Sequence, residues 1–203
     1  MSTKCVTDAD LVARARQGDQ AAFGELIDRH RSAVYRAARA ALRSHAEAED
    51  AAQDACVLAW QRLGSFRGDA SFRTWLLSIT WHQALNRRRS MVRWWTRTTP
   101  LEDEEGQPTE AGRTLAGQDL TASDRTPEQL AAGTELQRDV RAAIRALSPK
   151  LRDTLLLAQS GEYSYEEVGV MLGTLVGTVK WRVSEARRLV KKRLQEQGHE
   201  ELG

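Results

Sequence analysis

The residues best suited to chemistry lie in the basic segment 164–194. Ser164 and Glu167 have the spacing of a capping box, in which each side chain binds the other residue's backbone amide at a helix start. Gly173 interrupts the apolar pattern of that helix, and a second pattern begins at Val176. A capped helix followed across a Gly turn by a basic helix predicts a helix-turn-helix that binds in the major groove of DNA. The alternative is an ordinary helical hairpin with a solvated basic face. The candidate contacts on this second helix are Thr178, Lys180, Trp181, Arg182, Ser184, Glu185, Arg187 and Arg188.

A second group of cations and aromatic rings lies in segment 71–90. Cations that follow the phosphates, beside rings that stack on exposed bases, are typical of single-stranded nucleic-acid binding. Trp75 falls in the apolar stripe of this predicted helix and is expected in the core. Trp81 is open between packing and base contact. The polar and aromatic candidates here are Trp81, His82, Arg87, Arg88 and Arg89.

No other combination of residues indicates catalysis or a bound cofactor. The sequence has no nucleotide-binding loop, no paired carboxylates in a pocket-like context and no nucleophile–base signature. Asp50, Gln53 and Asp54 share a polar helix side without ligand spacing, so the residues alone predict a solvated face. The two cysteines, Cys5 and Cys56, lie far apart and predict no disulfide framework. We therefore expect that the protein is not an enzyme and that it has no metal site and no cofactor.

The elements that position these residues are helices in two domains. Apolar spacing predicts a first helix that is capped by Thr7 or Asp8 and ends at Gly18-Asp19. Further helices are predicted from about Gln20, over 45–63 and 71–90, from Pro127 to Leu147 and after Ser148-Pro149, followed by the helix-turn-helix. Ser148 is expected to cap its helix with Pro149 at the first helical position. His30 and His45 lie among polar residues and are expected to be solvated.

Charge separates the chain into three parts, although the net charge is only +2. Residues 1–98 carry 16 Lys and Arg against 10 Asp and Glu, residues 99–127 carry 2 against 7, and residues 128–203 carry 12 against 11. The middle part, with its Pro and Gly, predicts a flexible acidic linker between two all-α domains, 1–98 and 128–203. No run is apolar enough for a membrane span or signal peptide, so we expect a cytoplasmic protein.

Three runs make a family resemblance specific, because they occur in a fixed order. They are AEDAAQDACVLAWQRLGSFRGDASFRTWLLSITWHQALNRRR, then ALSPKLRDTLLLA, then YSYEEVGVMLGTLVGTVKWRVSEARR. Together they resemble bacterial RNA polymerase sigma factors, and most closely the two-domain extracytoplasmic-function (ECF) group. The resemblance covers residues 8–98 and 128–195.

The resemblance implies a role for each part. Segment 49–60 is similar to the helix that docks on the β′ clamp of core RNA polymerase, which makes Asp50, Gln53 and Asp54 the implied core-binding residues. The C-terminal helix-turn-helix would bind the −35 element as duplex. Segment 66–71 and the following helix resemble the part that melts the −10 element and captures an unpaired base. The implied −10 contacts are Phe66, Arg67, Asp69, Ser71, Arg73, Trp81, His82, Arg87 and Arg88.

The same resemblance implies the partners. They are core RNA polymerase through its β′ clamp and β flap, promoter DNA, and a membrane-associated anti-sigma factor, with no direct membrane insertion of this chain. In the family the linker threads into a polymerase channel, although a solvating spacer explains its composition equally well.

Four residues depart from the family pattern. Cys56 replaces a large aromatic residue, His82 stands where asparagine is common, Trp181 replaces a small polar residue, and Glu185 stands where arginine can occur. The last two suggest an altered promoter preference.

Three other functions fit the sequence less well. An autonomous helix-turn-helix repressor or activator would need a dimer interface and a palindromic site, and it leaves segment 45–90 unexplained. A metal or redox sensor would use Cys5, Cys56 and the histidines, which are scattered. An enzyme acting on nucleic acid has no catalytic signature to support it.

Overall fold

The computed structural model describes residues 6–42, 44–98 and 135–199. Over these ranges it confirms the predicted all-α fold, with eight α-helices and no strand. The helices are α1 (Asp8–Arg16), α2 (Gln20–Ala41), α3 (His45–Arg62), α4 (Phe72–Thr98), α5 (Glu135–Arg145), α6 (Pro149–Gln159), α7 (Tyr165–Leu172) and α8 (Val176–Glu196), with a 3-10 turn at Leu63–Ser65 after α3.

The described residues form two compact units. The first reaches Leu85 and includes Val170–Gly173, and the second holds the other described residues. None of the helices in the described ranges has a long enough apolar stretch to cross a membrane.

Side-chain caps begin most of these helices. Thr7 and Asp10 form a reciprocal capping box at α1, and Ser44 accepts a hydrogen bond from an amide in the first turn of α3. At α7 the Glu167 amide donates to Ser164 Oγ at 3.1 Å, and the Ser164 amide donates to Glu167 Oε2 at 3.0 Å. The capping box predicted for these two residues is therefore confirmed.

Three expectations about helix ends and burial need correction. Pro149 occupies the start of α6 as predicted, but the Ser148 side chain makes no capping hydrogen bond. Helix α4 continues past Ser90 to Thr98, since no Gly or Pro interrupts the chain before Pro100. His30 is not solvated: its side chain is 14% exposed and its Nε2 lies 2.7 Å from Asp8 Oδ2.

Some predicted features lie outside the described residues. They are the linker 99–127, the first turns of the helix expected from Pro127, and Cys5.

Small residues let α2 and α3 approach closely in the first unit. The buried alanines of these two helices are Ala22, Ala33, Ala37, Ala38, Ala41, Ala48, Ala51, Ala55 and Ala59. In the second unit, α8 packs on α5 and α6. The α8 side chains buried by this packing are Val179, Val183, Ala186 and Leu194. This packing leaves the opposite side of α8 open to a ligand.

Candidate nucleic-acid and protein interfaces

The polar face of α3 is open to solvent at all three predicted positions, Asp50, Gln53 and Asp54. Val57 continues the same stripe at helical spacing and is 58% exposed. The sequence reasoning missed Val57, although an apolar residue seven positions after Asp50 on a polar stripe was a visible signal. An exposed face that mixes carboxylates with an apolar side chain is suited to a protein partner.

A groove of about 610 Å³ borders this face between α2 and α3. Gln53 and Val57 line it together with Tyr35, His45 and Cys56. Burial raises the pKa of the Cys56 thiol, with the nearby Arg31 charge opposing that effect. A raised pKa keeps the thiolate fraction low at neutral pH, unlike the environment of a reactive cysteine.

The loop before α4 combines an aromatic base with polar tips. Phe66 is half-buried, with its ring centroid 5.9 Å from that of Phe72 and 5.2 Å from that of Trp75. Arg67 and Asp69 are exposed and pair at 3.1 Å across Gly68, whose φ of +83° suits glycine.

Ser71 ends this loop and starts α4. Its Oγ accepts the Thr74 amide at 3.0 Å and lies 2.8 Å from Thr74 Oγ1. The cap fixes the direction in which the loop enters α4.

Trp81 does not offer its ring to a base in this conformation. It is fully buried, and its indole Nε1 has no hydrogen-bond partner among the described residues. Of the two alternatives for Trp81, the structure shows packing. The buried side of α4 is wider than the stripe predicted from Phe72, Trp75 and Ile79, and it includes Trp81.

The remaining α4 candidates differ in exposure. Arg73 and Arg87 are half-buried, and His82 is exposed with its Nδ1 2.6 Å from the Ser78 carbonyl oxygen. Arg88 is 9% exposed and donates to the Asp153 carboxylate at 3.0 and 3.3 Å. The structure therefore leaves His82, and not Arg88, accessible to a ligand.

Helix α8 presents its predicted contacts on the side away from α5 and α6. Trp181 is 62% exposed, whereas Thr178 and Arg182 are half-buried. The other exposed candidates are Lys180, Ser184, Arg187 and Arg188. The sequence reasoning missed Leu175, which precedes the first turn of α8 and is 80% exposed.

Glu185 restrains one of these cations. Its carboxylate accepts two hydrogen bonds from Arg188, at 2.8 and 2.7 Å. The guanidinium holds the pKa of Glu185 below its usual value, and the carboxylate raises the pKa of Arg188. One cation of this face is thus neutralised within the helix.

Comparison with known proteins matches both parts of the chain. Residues 26–96 match the family model of sigma-70 region 2, and residues 137–190 match that of sigma-70 region 4. The chain is 30% identical over 188 residues to RNA polymerase sigma-H factor of Pseudomonas aeruginosa, covering 93% of this chain and 94% of that one. It is 32% identical over 190 residues to ECF RNA polymerase sigma-E factor of Escherichia coli strain K12, covering 94% and 95%.

Two solved structures are similar in fold. CnrH, in complex with the cytosolic domain of CnrY, matches with a TM-score of 0.57 and 26% identity over 93% of this chain and 97% of CnrH. The sigma factor RpoE of Bartonella quintana, in complex with the anti-sigma factor NepR, matches with a TM-score of 0.57 and 24% identity over 85% and 96%. With both sigma-70 regions in order and curated relatives matched over nearly their whole length, the chain belongs to the extracytoplasmic-function sigma factors.

Proposed function

We propose that this sigma factor docks on core RNA polymerase through the exposed face of α3 formed by Asp50, Gln53, Asp54 and Val57, and there directs initiation at promoters. The observation that carries the proposal is the exposure of all four side chains on one helix face. Such a stripe supplies charge for orientation and apolar area for affinity. In this proposal the protein acts by binding polymerase and promoter DNA, and it carries out no covalent step.

The docking proposal is tested by reversing one charge. Asp54→Lys should abolish co-purification with core polymerase and leave the circular dichroism spectrum unchanged, because exposed substitutions usually alter stability by less than about 0.5 kcal/mol. Glu196→Lys makes the same charge change at an exposed position near the end of α8 and serves as the matched control. Normal co-purification of folded Asp54→Lys would remove the assignment.

Promoter melting is assigned to the loop before α4 and the exposed residues that follow it. Arg67 and Asp69 project from an aromatic base, and rings with nearby cations can offset the few kcal/mol that unstacking a base costs. The −10 contacts implied for Phe66, Ser71, Arg73, His82 and Arg87 belong to this proposal. Trp81 and Arg88 could take part only after leaving their buried positions.

This assignment is tested by Arg67→Ala/Asp69→Ala, which removes an exposed ion pair of small energetic value. The double variant should bind core normally and open duplex promoters slowly. A template with a pre-melted −10 region should restore initiation. Wild-type opening kinetics on duplex DNA would place melting elsewhere.

The second unit is assigned to the −35 element through α8, held against the DNA by the β flap. Lys180, Arg182 and Arg187 supply cations for phosphates or guanine edges, and Trp181 adds an apolar surface. Both binding steps take place in the cytoplasm, where polymerase and chromosome lie.

We assign an anti-sigma factor as the regulator. The similar protein CnrH was solved with the cytosolic domain of CnrY, so a membrane-associated partner with a cytosolic domain fits this chain as well. Recovery of the tagged chain with the membrane fraction, bound to a protein that blocks its association with core polymerase, tests this assignment. A chain that is recovered only outside the membrane fraction, and is fully available to core polymerase, would contradict it.

A further inference from the structure

Arg16, the last residue of α1, fastens this helix to the loop before α4. Its Nε donates to the Leu63 carbonyl at 3.3 Å, and its Nη2 donates to the Phe66 carbonyl. Its guanidinium carbon also lies 6.0 Å from the centroid of the Phe66 ring. One side chain therefore holds both ends of the turn that leads into the loop, and it contacts the ring on which the loop rests.

Helix α1 is itself anchored, so it can act as a fixed support. Asp8 pairs with Arg29 at 3.0 Å and with His30 at 2.7 Å, both on α2. Leu11 and Ala15 are buried on the inner side of α1. The ion pairs of Asp8 hold the start of α1, and the burial of Ala15 holds the end that carries Arg16.

The hydrogen bonds within the turn are local, and Arg16 adds hydrogen bonds to it from another helix. Two glycines, Gly64 and Gly68, increase the conformational freedom of the chain on either side of Phe66. Within the turn, the Phe66 amide donates to the Leu63 carbonyl at 3.2 Å, and Ser65 Oγ donates to the Arg62 carbonyl at 2.7 Å. Neither bond reaches residues 67–70, so their direction depends on where Phe66 is held, on the Arg67–Asp69 ion pair and on the Ser71 cap.

We propose that Arg16 is a positioning residue for promoter melting: it presets the conformation of loop 66–70 that captures an unpaired −10 base. This inference rests on the function proposed for that loop. It assigns a role in promoter opening to α1, which lies before residues 26–96, the part that matches sigma-70 region 2. An arginine is required, because a lysine cannot serve two carbonyl groups and stack on a ring with one planar group.

The matched control is Arg14→Ala. Arg14 lies on the same helix, is exposed and pairs with Asp19 at 2.7 Å. Its replacement removes the same charge from α1 and leaves the bonds of Arg16 intact. Arg16→Ala and Arg16→Lys are the test variants, and Arg16→Lys keeps the charge and the aliphatic stem if Arg16→Ala proves too unstable to use.

Two measurements follow the loop and its action. Hydrogen exchange of the full chain should be about tenfold faster at the Phe66 amide, which donates to the Leu63 carbonyl, in Arg16→Ala, since two charge-assisted hydrogen bonds that hold this turn are lost. For the second, wild-type holoenzyme first selects a template from promoter duplexes randomised at both elements. On that template Arg16→Ala should open about tenfold more slowly and discriminate less among −10 bases, with core binding unchanged.

The pattern across variants decides the inference. Arg14→Ala should match wild type, Arg16→Lys should resemble Arg16→Ala, and a pre-melted −10 template should restore initiation in both Arg16 variants. Wild-type opening and −10 preference in both Arg16 variants, with slow opening in Arg67→Ala/Asp69→Ala, would overturn the role of Arg16 and leave the loop's function standing. Normal opening in Arg67→Ala/Asp69→Ala would instead remove the function on which the inference rests.

Discussion

Gly169 and Thr174 close the turn between α7 and α8 by direct backbone contact. The Thr174 amide donates to the Gly169 carbonyl at 2.9 Å, and a Cβ on Gly169 would stand 2.9 Å from the Thr174 carbonyl oxygen. Between them, Gly173 has a φ of +59°, a conformation that glycine adopts at little cost. The angle at which α8 leaves α7 therefore depends on the absence of a side chain at position 169.

Gly169→Ala should lower the free energy of unfolding by about 1–3 kcal/mol, because the methyl group meets backbone that cannot move aside. Gly177→Ala is the matched control, since a Cβ there would have no atom within 4 Å. A helical Gly to Ala change without a clash should raise stability by up to about 1 kcal/mol. Denaturant unfolding monitored by circular dichroism measures both changes, and equal effects of the two substitutions would contradict the steric argument.

Local signals of this kind made most of the fold predictable. The Ser164–Glu167 capping box, Pro149 at a helix start and the break at Gly173 all depend on residues within a few positions of each other. Ser148 shows the limit, because its side-chain rotamer is not determined by sequence spacing. The predicted end of α4 at Ser90 is too early, because the first helix-breaking residue after it is Pro100.

Trp81→Ala should destabilise the protein by about 3–5 kcal/mol, the usual cost of removing a buried tryptophan. This differs from the effect expected of an exposed base-contacting residue, whose removal slows opening without changing stability. Trp81→Phe retains most of the buried volume and removes the unpartnered indole N–H, so it should cost much less. Urea unfolding measures the stability loss of each variant and compares Trp81→Ala with Trp81→Phe. A stability loss in Trp81→Ala below about 0.5 kcal/mol would return Trp81 to the DNA-contacting group.

The sequence could not predict which candidate residues are buried or bound by residues from other helices. His30 and Trp81 lie next to polar residues in the chain, yet Asp8 covers one and the core encloses the other. Arg16 is similar, because its partners Leu63 and Phe66 lie far along the chain and no spacing rule connects them. The exposed candidates on α3 and α8 were predictable because they share a helix with the apolar stripe that orients them.

Asp8→Asn should remove a part of the folding stability that wild type has at neutral pH and loses in acid. Partial burial raises the pKa of Asp8, but hydrogen bonds from His30 and Arg29 outweigh it, so the pKa lies below its usual value. A lowered carboxyl pKa adds stability above the unfolded value of about 3.9, and this stability is lost as pH falls through the folded value.

Urea unfolding between pH 7 and pH 3 tests this sign. Wild type should exceed Asp8→Asn in stability at pH 7, and the difference should shrink below about pH 4 as Asp8 takes up a proton. Asp28→Asn, an exposed substitution on α2, controls for the loss of one negative charge. A difference that stays constant down to pH 3 would show that the Asp8 carboxylate is not the group responsible.

Trp181 on α8 and Leu175 just before its first turn are two exposed apolar side chains, at 62% and 80% exposure. At 62% exposure, Trp181 is not held mainly by packing against its own unit. Two uses remain, a contact with DNA and a contact with the anti-sigma factor. Under the DNA hypothesis the flat face of the indole lies against a thymine methyl or a sugar, and sequence preference depends on it.

Trp181→Ser should therefore change the discrimination among −35 sequences and barely alter the salt dependence of promoter binding, because no phosphate contact is lost. Lys180→Ala is the contrasting variant: it should weaken binding to all promoters and reduce the slope of log affinity against log salt by about one. Both are measured with holoenzyme on duplexes randomised at −35, at several salt concentrations. An unchanged −35 preference for Trp181→Ser, together with weaker binding of the anti-sigma factor, would assign Trp181 to that partner, because an exposed indole adds affinity wherever it becomes desolvated.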